Sequence, residues 1–129
     1  MAFEIPGRKV TRVCGASSLS THKHKFVKLH TDGTAILTAA STDQPYGILQ
    51  NNPGVGGECE IMRDGISKLI ASETVAIGDP IGTHDDGTAE VMAYGTDTTK
   101  FIVGVALSAA DAGETFSVDF NCAGVGRGV

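Results

Sequence analysis

The chain has no tryptophan, two tyrosines and five phenylalanines, so aromatic residues fill only 5% of its 129 positions. A sugar site that grips rings between aromatic faces therefore has little to be built from. Positive charge is also short. Ten Lys and Arg face fifteen Asp and Glu, for a net charge of −5 and a pI near 5.2. That balance excludes a chain-wide cationic footprint for direct nucleic-acid binding. No apolar run approaches the roughly 18 residues of a membrane span. The opening Met1-Ala2-Phe3-Glu4-Ile5-Pro6-Gly7 has no apolar core of a secretion signal, which predicts synthesis in the cytoplasm. Cys14, Cys59 and Cys122 are odd in number and dispersed, so they predict neither a disulfide framework nor a four-cysteine zinc site. They read as reduced, buried small apolar residues.

What the chain does have is glycine, 17 residues, together with 41% hydrophobic and 19% charged residues. This is the composition of one folded domain, long enough to bury a real core. It also contains a repeat. Residues 30–43 read HTDGTAILTAASTD and residues 84–97 read HDDGTAEVMAYGTD. At an offset of 54, eight of the fourteen positions are identical, among them His30 and His84, Asp32 and Asp86, and Gly33 and Gly87. Farther on, Tyr46-Gly47-Ile48-Leu49 is answered by Val103-Gly104-Val105-Ala106, and Gly57-Glu58 by Gly113-Glu114. Two copies are too few for a solenoid and suit a pseudo-twofold β-domain.

Each copy has the same grammar of short strands and Asp-Gly turns, which favour positive φ. Strands are predicted at 26–29, 34–38, 46–49, 58–63 and 66–71, with a turn at Asp64-Gly65, and again at 80–83, 88–93, 101–107 and 115–121. Residues 108–113 read as a loop or one helical turn. The fold class is all-β: a small β-barrel or β-tulip-like domain with internal duplication and an extended N-terminal arm. The expected organisation is an arm over 1–20, a β-domain over 21–122 with units at about 25–65 and 79–122, and a flexible tail over 123–129.

Chemistry-bearing motifs are sparse. His22, His24, His30 and Asp32, with His84, Asp85 and Asp86, contain N and O donors that zinc accepts. Yet His30 and His84 occupy equivalent places before a turn, as duplication alone would leave them. The cysteines lack a neighbouring histidine motif, and there is no Gly-x-Ser-x-Gly elbow. Gly54-Val55-Gly56-Gly57 and Gly124-Val125-Gly126 have the composition of a phosphate loop without its pattern. No enzyme, cofactor or metal is therefore expected. Charge is uneven: Arg8, Lys9, Arg12, Lys23, Lys25 and Lys28 against Glu4 give +5 before residue 29 and leave −10 for the rest. Arg8, Lys9, Arg12, Lys23 and Lys25 are the candidate contacts for an acidic partner surface.

One ordered series remains: Gly78-Asp79-Pro80-Ile81, Asp86-Gly87-Thr88-Ala89, Val103-Gly104-Val105-Ala106-Leu107 and Ala112-Gly113-Glu114. It resembles the small capsid cement, or head decoration, proteins of tailed bacteriophages. The resemblance covers 66–122 and reaches 25–65 through the repeat; residues 1–20 match none of its motifs. It implies a structural virion protein on the outer capsid surface, binding the major capsid protein as a homotrimer and clamping the lattice. From the hydropathy and net charge above, no membrane and no direct nucleic-acid partner are expected. The alternatives are a ligand- or carbohydrate-binding β-module of a virion fibre, and a metal-dependent enzyme built on His30, His84, Asp85 and Asp86.

Overall fold

Thirteen strands build the chain in this computed structural model, which describes residues 2–15 and 17–123 and the backbone of 126–127. They are β1 (Ile5–Pro6), β2 (Lys9–Val13), β3 (Phe26–Leu29), β4 (Ala35–Leu37), β5 (Gly47–Leu49), β6 (Glu58–Met62), β7 (Asp64–Ile70), β8 (Pro80–Thr83), β9 (Ala89–Val91), β10 (Phe101–Ile102), β11 (Gly104–Ala106), β12 (Thr115–Asn121) and β13 (Gly126–Arg127). No helix occurs among the described residues, and 108–113 is a loop. The protein is all-β.

Two antiparallel sheets carry the fold. One runs β2-β6-β5-β3-β4; the other runs β1-β7-β12-β11-β8-β9. Leaving out β1, the second order is the first with each strand replaced by its counterpart. The registers agree as well. Val27 pairs with Leu37 as Ile81 pairs with Val91, Phe26 with Ile48 as Pro80 with Val105, Ile48 with Met62 as Val105 with Asp119, and Val13 with Glu58 as Ile70 with Thr115. These ladders therefore correspond residue by residue, with an offset of 54 for β3, β4 and the residues beside them and of 57 for β2, β5 and β6, while the β10–β13 pair has no counterpart in the first unit among the described residues. Turn chemistry follows it. Asp32 Oδ1 accepts the Thr34 N–H at 3.0 Å, and Asp86 Oδ1 accepts the Thr88 N–H at 3.1 Å. His24 holds a left-handed φ of 65° where its counterpart, Gly78, has 91°.

The units differ from the expected ones in three ways. The residues expected as an N-terminal arm are the first strand of the first unit: β2 makes a five-residue ladder with β6, and β1 pairs with β7. Cys14 and Leu19 are buried in the core that follows. The counterpart of β2 is β7, so the units run from β2 to β6 and from β7 to β12. Asp64-Gly65 opens β7 instead of making a turn; the chain passes between sheets through Arg63, with Gly65 bent to a φ of 109°. Third, Gly113 matches Gly56, not Gly57. Both have positive φ, and both donate N–H to the end of their unit's first strand, Gly56 to Cys14 and Gly113 to Ala71. Of the expected tail, Gly126–Arg127 pairs with β10, while residues 124, 125, 128 and 129 lie outside the described residues.

Neither sheet is closed into a barrel by a ladder. Each curls until its first and third strands meet at one parallel bridge, Cys14 with Ala35 and Ala71 with Ala89. The three-residue β4 and β9 are too short to extend it. Inside the first curl lie Val27, Ala35, Leu49, Cys59 and Ile61, plugged by Leu19. The second cluster joins the interior of the second unit, including Leu69, Ile81, Phe116 and Val118, to Phe26, Ile48 and Met62 from the outer face of the first. The units are thus packed in series, outer face of one on the mouth of the other.

Candidate interaction surface

Packing in series leaves two surfaces without a counterpart. The first is the mouth of the first unit. Arg12 and Arg63 flank the ring of Tyr46, with guanidinium carbons 5.9 and 4.1 Å from its centroid. Arg63 Nε also donates to the Tyr46 carbonyl at 3.0 Å, which fixes that guanidinium in place. Beside it a depression of about 380 Å3 is lined by Leu29, Gln44, Pro45, Tyr46 and Arg63. No carboxylate lies within ion-pair distance of either guanidinium among the described residues.

The second is the outer face of the second unit. Ile5, Ile66, Asp119, Val105 and Pro80 are successive partners across β1, β7, β12, β11 and β8, so their side chains share one face. Asp119 and Val105 are exposed, Val105 by 44%. Phe3 borders this face. Its backbone is held by Ser117, whose Oγ donates to the Phe3 carbonyl at 2.9 Å.

The five basic residues singled out from the sequence do not sit on one element. Lys9 and Arg12 lie on β2, with Arg8 just before it; the Arg8 N–H donates to Asp64 Oδ1 at 2.6 Å. The Lys23 N–H donates to Asn52 Oδ1 at 3.0 Å, and Lys25 Nζ lies 3.2 Å from His22 Nδ1. Of the five, only Arg12 reaches the aromatic mouth. Sequence reasoning missed Tyr46, Arg63, Val105 and Asp119. The signal was present in the alignment of the repeats, where Arg63 faces Phe120 and Asp119 faces Met62.

A groove of about 590 Å3 runs between the units, with Leu19 and Leu37 among its apolar residues and His22, His30, Asp85 and Asp86 among its polar ones. It holds no Phe or Tyr. His84, Asp85 and Asp86 offer ligand atoms within 4.8 Å of one another. These atoms are already engaged: His84 Nδ1 with Glu90 Oε1 at 2.8 Å, His84 Nε2 with Asp85 at 3.1 Å, and Asp86 Oδ1 with Thr88. The hydrogen bond to Glu90 raises the His84 pKa above the ordinary value; partial burial opposes it and the Asp85 and Asp86 charges add to it. His30 instead sits 3.3 Å from Asp32 at its own turn. The cysteines are all buried and unpaired. Burial pushes Cys59 and Cys122 up to about 12, and for Cys59 neighbouring Cys14 adds to this.

No family model matches the sequence, and no curated protein is similar to it in sequence. Solved structures do match. One is the head fiber gp8.5 N base of bacteriophage phi29, with a TM-score of 0.66 and 18% identity over 89% of this chain and 96% of that one. The two chains share a fold. At that identity the likeness speaks for the architecture, and the match extends over both units rather than one.

Proposed function

We propose that the chain is a non-enzymatic structural protein of a bacteriophage virion. It sits as a homotrimer on the outer capsid surface, binds the major capsid protein and stabilises the assembled lattice. The observation that supports this is the fold shared with a phage head fibre base along nearly the full length of both chains. The ordered Gly-Asp, Asp-Gly and Ala-Gly-Glu motifs point the same way. The molecule also suits the task physically. Its recognition surfaces are broad sheet faces, and modest contacts repeated over a lattice act together through avidity. Localisation is then the virion, after synthesis in the host cytoplasm.

The test uses particles of the phage that carries the gene. Antibody to the chain labels the head surface, and heads stripped of the chain rupture at lower temperature than heads with it added back. Particles that lack the chain overturn the reading. A second reading, a ligand- or carbohydrate-binding module of a virion fibre, is favoured by the neighbour being the base of a fibre. It is distinguished by a fibre or glycan held on the chain in labelled particles whose rupture temperature does not change.

A further inference from the structure

The contact between the two units has a counterpart that the chain does not make with itself. Phe26, Ile48 and Met62 on the outer face of the first unit are fully buried, in one cluster with Leu69, Val103 and Phe120 of the second. Thr38 Oγ1 meets Thr83 Oγ1 at 2.6 Å, Gln50 Nε2 donates to Ser67 Oγ at 3.0 Å, and the Ile70 N–H donates to the His24 carbonyl at 3.1 Å. Moving each side to its equivalent position names the contact that is missing. Phe26, Ile48 and Met62 become Pro80, Val105 and Asp119, on the open face of the second unit. Leu69, Val103 and Phe120 become Arg12, Tyr46 and Arg63, at the open mouth of the first.

Both surfaces keep apolar character. Thr83 and Ile70, which receive the first unit, correspond to Leu29 and Val13, and these are 40% and 52% exposed. The two sides have changed together at one point: where Met62 meets a hydrophobic cluster, the second version has a carboxylate, and the receiving positions have two guanidiniums. Asp119 makes no side-chain hydrogen bond or ion pair within the chain among the described residues. The charge of the two units is polarised in the same sense, with a net +2 over residues 1–63 and −7 over residues 64–129.

We propose that the outer face of the second unit docks on the mouth of the first unit in another copy of this chain, with Val105 against Leu29 and Tyr46 and with Asp119 against Arg12 and Arg63. The occupant is a second copy because each surface is the equivalent of one that already mates within the chain, and because Asp119, beside Lys68 on one surface, is complementary to Arg12 and Arg63 on the other. The contact is head-to-tail, so it propagates to a ring or a chain of copies. It rests on the self-association in the reading above but needs no capsid, so mass in solution tests it independently of particle labelling.

Native mass spectrometry and sedimentation velocity read the result. The parent protein assembles beyond the monomer at about 50 µM, and assembly weakens as salt is raised from about 50 to 500 mM. Val105→Asp and Leu29→Asp, both at exposed positions, each give monomers at that concentration and keep the parent's melting temperature at a dilution where the parent is itself monomeric. An equimolar mixture of the two recovers pairs and nothing larger, because each variant retains one working surface. Asp119→Asn weakens assembly about tenfold and flattens its salt dependence. A parent that stays monomeric at about 1 mM, a variant that keeps the parent's mass, or a mixture that forms no pairs overturns the proposal.

Discussion

The two units of this chain share strand order, ladder register and turn chemistry, and differ in what lies on their outer faces. In the first, Phe26, Ile48 and Met62 are buried against the second unit. In the second, Pro80, Val105 and Asp119 occupy the same places and face outward. Backbone hydrogen bonding and Asp-Gly turns hold the common architecture, and they tolerate change on the face. Removing the outer row from water stabilises the chain by roughly 1.5–3 kcal/mol per large side chain. The first unit gains this within one molecule, whereas the second leaves it unclaimed. The same face is an internal contact in one unit and an external surface in the other.

The strongest way to break this comparison is to remove the strand that makes the first unit complete. Deleting residues 1–13 takes away β2, the partner of β6, and opens the cluster of Leu49, Cys59 and Ile61. The expected outcome is loss of the cooperative thermal transition followed by circular dichroism. An unchanged melting temperature would mean that the segment is a dispensable arm.

Next in size is a pair of equivalent substitutions. Ile48→Asp places a carboxylate in the shared cluster and costs about 4 kcal/mol or more, enough to unfold a marginal domain. Val105→Asp, at the matching position on the exposed face, stays within about 0.5 kcal/mol. Urea unfolding at a dilution where the protein is monomeric measures both. Equal losses would show that the two outer faces are packed alike.

These cases also show which features were legible in the sequence. The segments around His30 and His84 were legible because a hairpin turn needs Asp, Gly and Thr in fixed places, and those needs are the same in both units. The first strands were not. Lys9–Val13 and Ile66–Ile70 pair in the same register without an identity between them. Their surroundings differ: the mouth beside Leu69 receives the first unit, while the one beside Arg12 is open. A strand whose inward residues include an exposed arginine lacks the apolar alternation that marks a strand. Tyr46 and Arg63 were missed for the same reason, since their chemistry is visible only when Val103 and Phe120 are set beside them.

A smaller contrast lies in the loops after the third ladder strand. Asp43 Oδ2 accepts the N–H groups of Ala39 and Ala40 at 2.8 and 3.0 Å and the Lys28 ammonium at 2.9 Å. Asp97 Oδ2 accepts only the Ala93 N–H, at 2.7 Å, with Lys100 3.4 Å from its other oxygen. Asp43→Ala is expected to cost about 1–3 kcal/mol and Asp97→Ala about 1 kcal/mol. Burial favours the neutral form of Asp43, but Lys28 and the two N–H groups outweigh it and hold its pKa below the ordinary value. Its contribution is therefore present above the ordinary carboxylate range and lost as pH falls through the folded pKa. Urea midpoints at neutral and acid pH check both the ranking and the sign.

The smallest effect separates His84 from its counterpart His30. Position 90 holds Glu90, bonded to His84, whereas its equivalent in the first unit is Ile36. Because the His84 pKa is raised, the folded state favours the imidazolium. That stabilisation is complete below the ordinary histidine pKa of about 6.5 and disappears as pH rises through the folded value. His22 and His24 act with the opposite sign, since burial lowers both and nearby Lys25 and Lys23 add to it. A melting curve alone mixes these contributions, so the measurement is the ring-proton titration of each histidine by NMR. His84 should titrate above free histidine, and Glu90→Gln should bring it down while leaving His22 and His24 in place. If Glu90→Gln leaves His84 unmoved, the Asp85 and Asp86 charges hold the proton, and the difference between the units lies in the turn rather than in the strand.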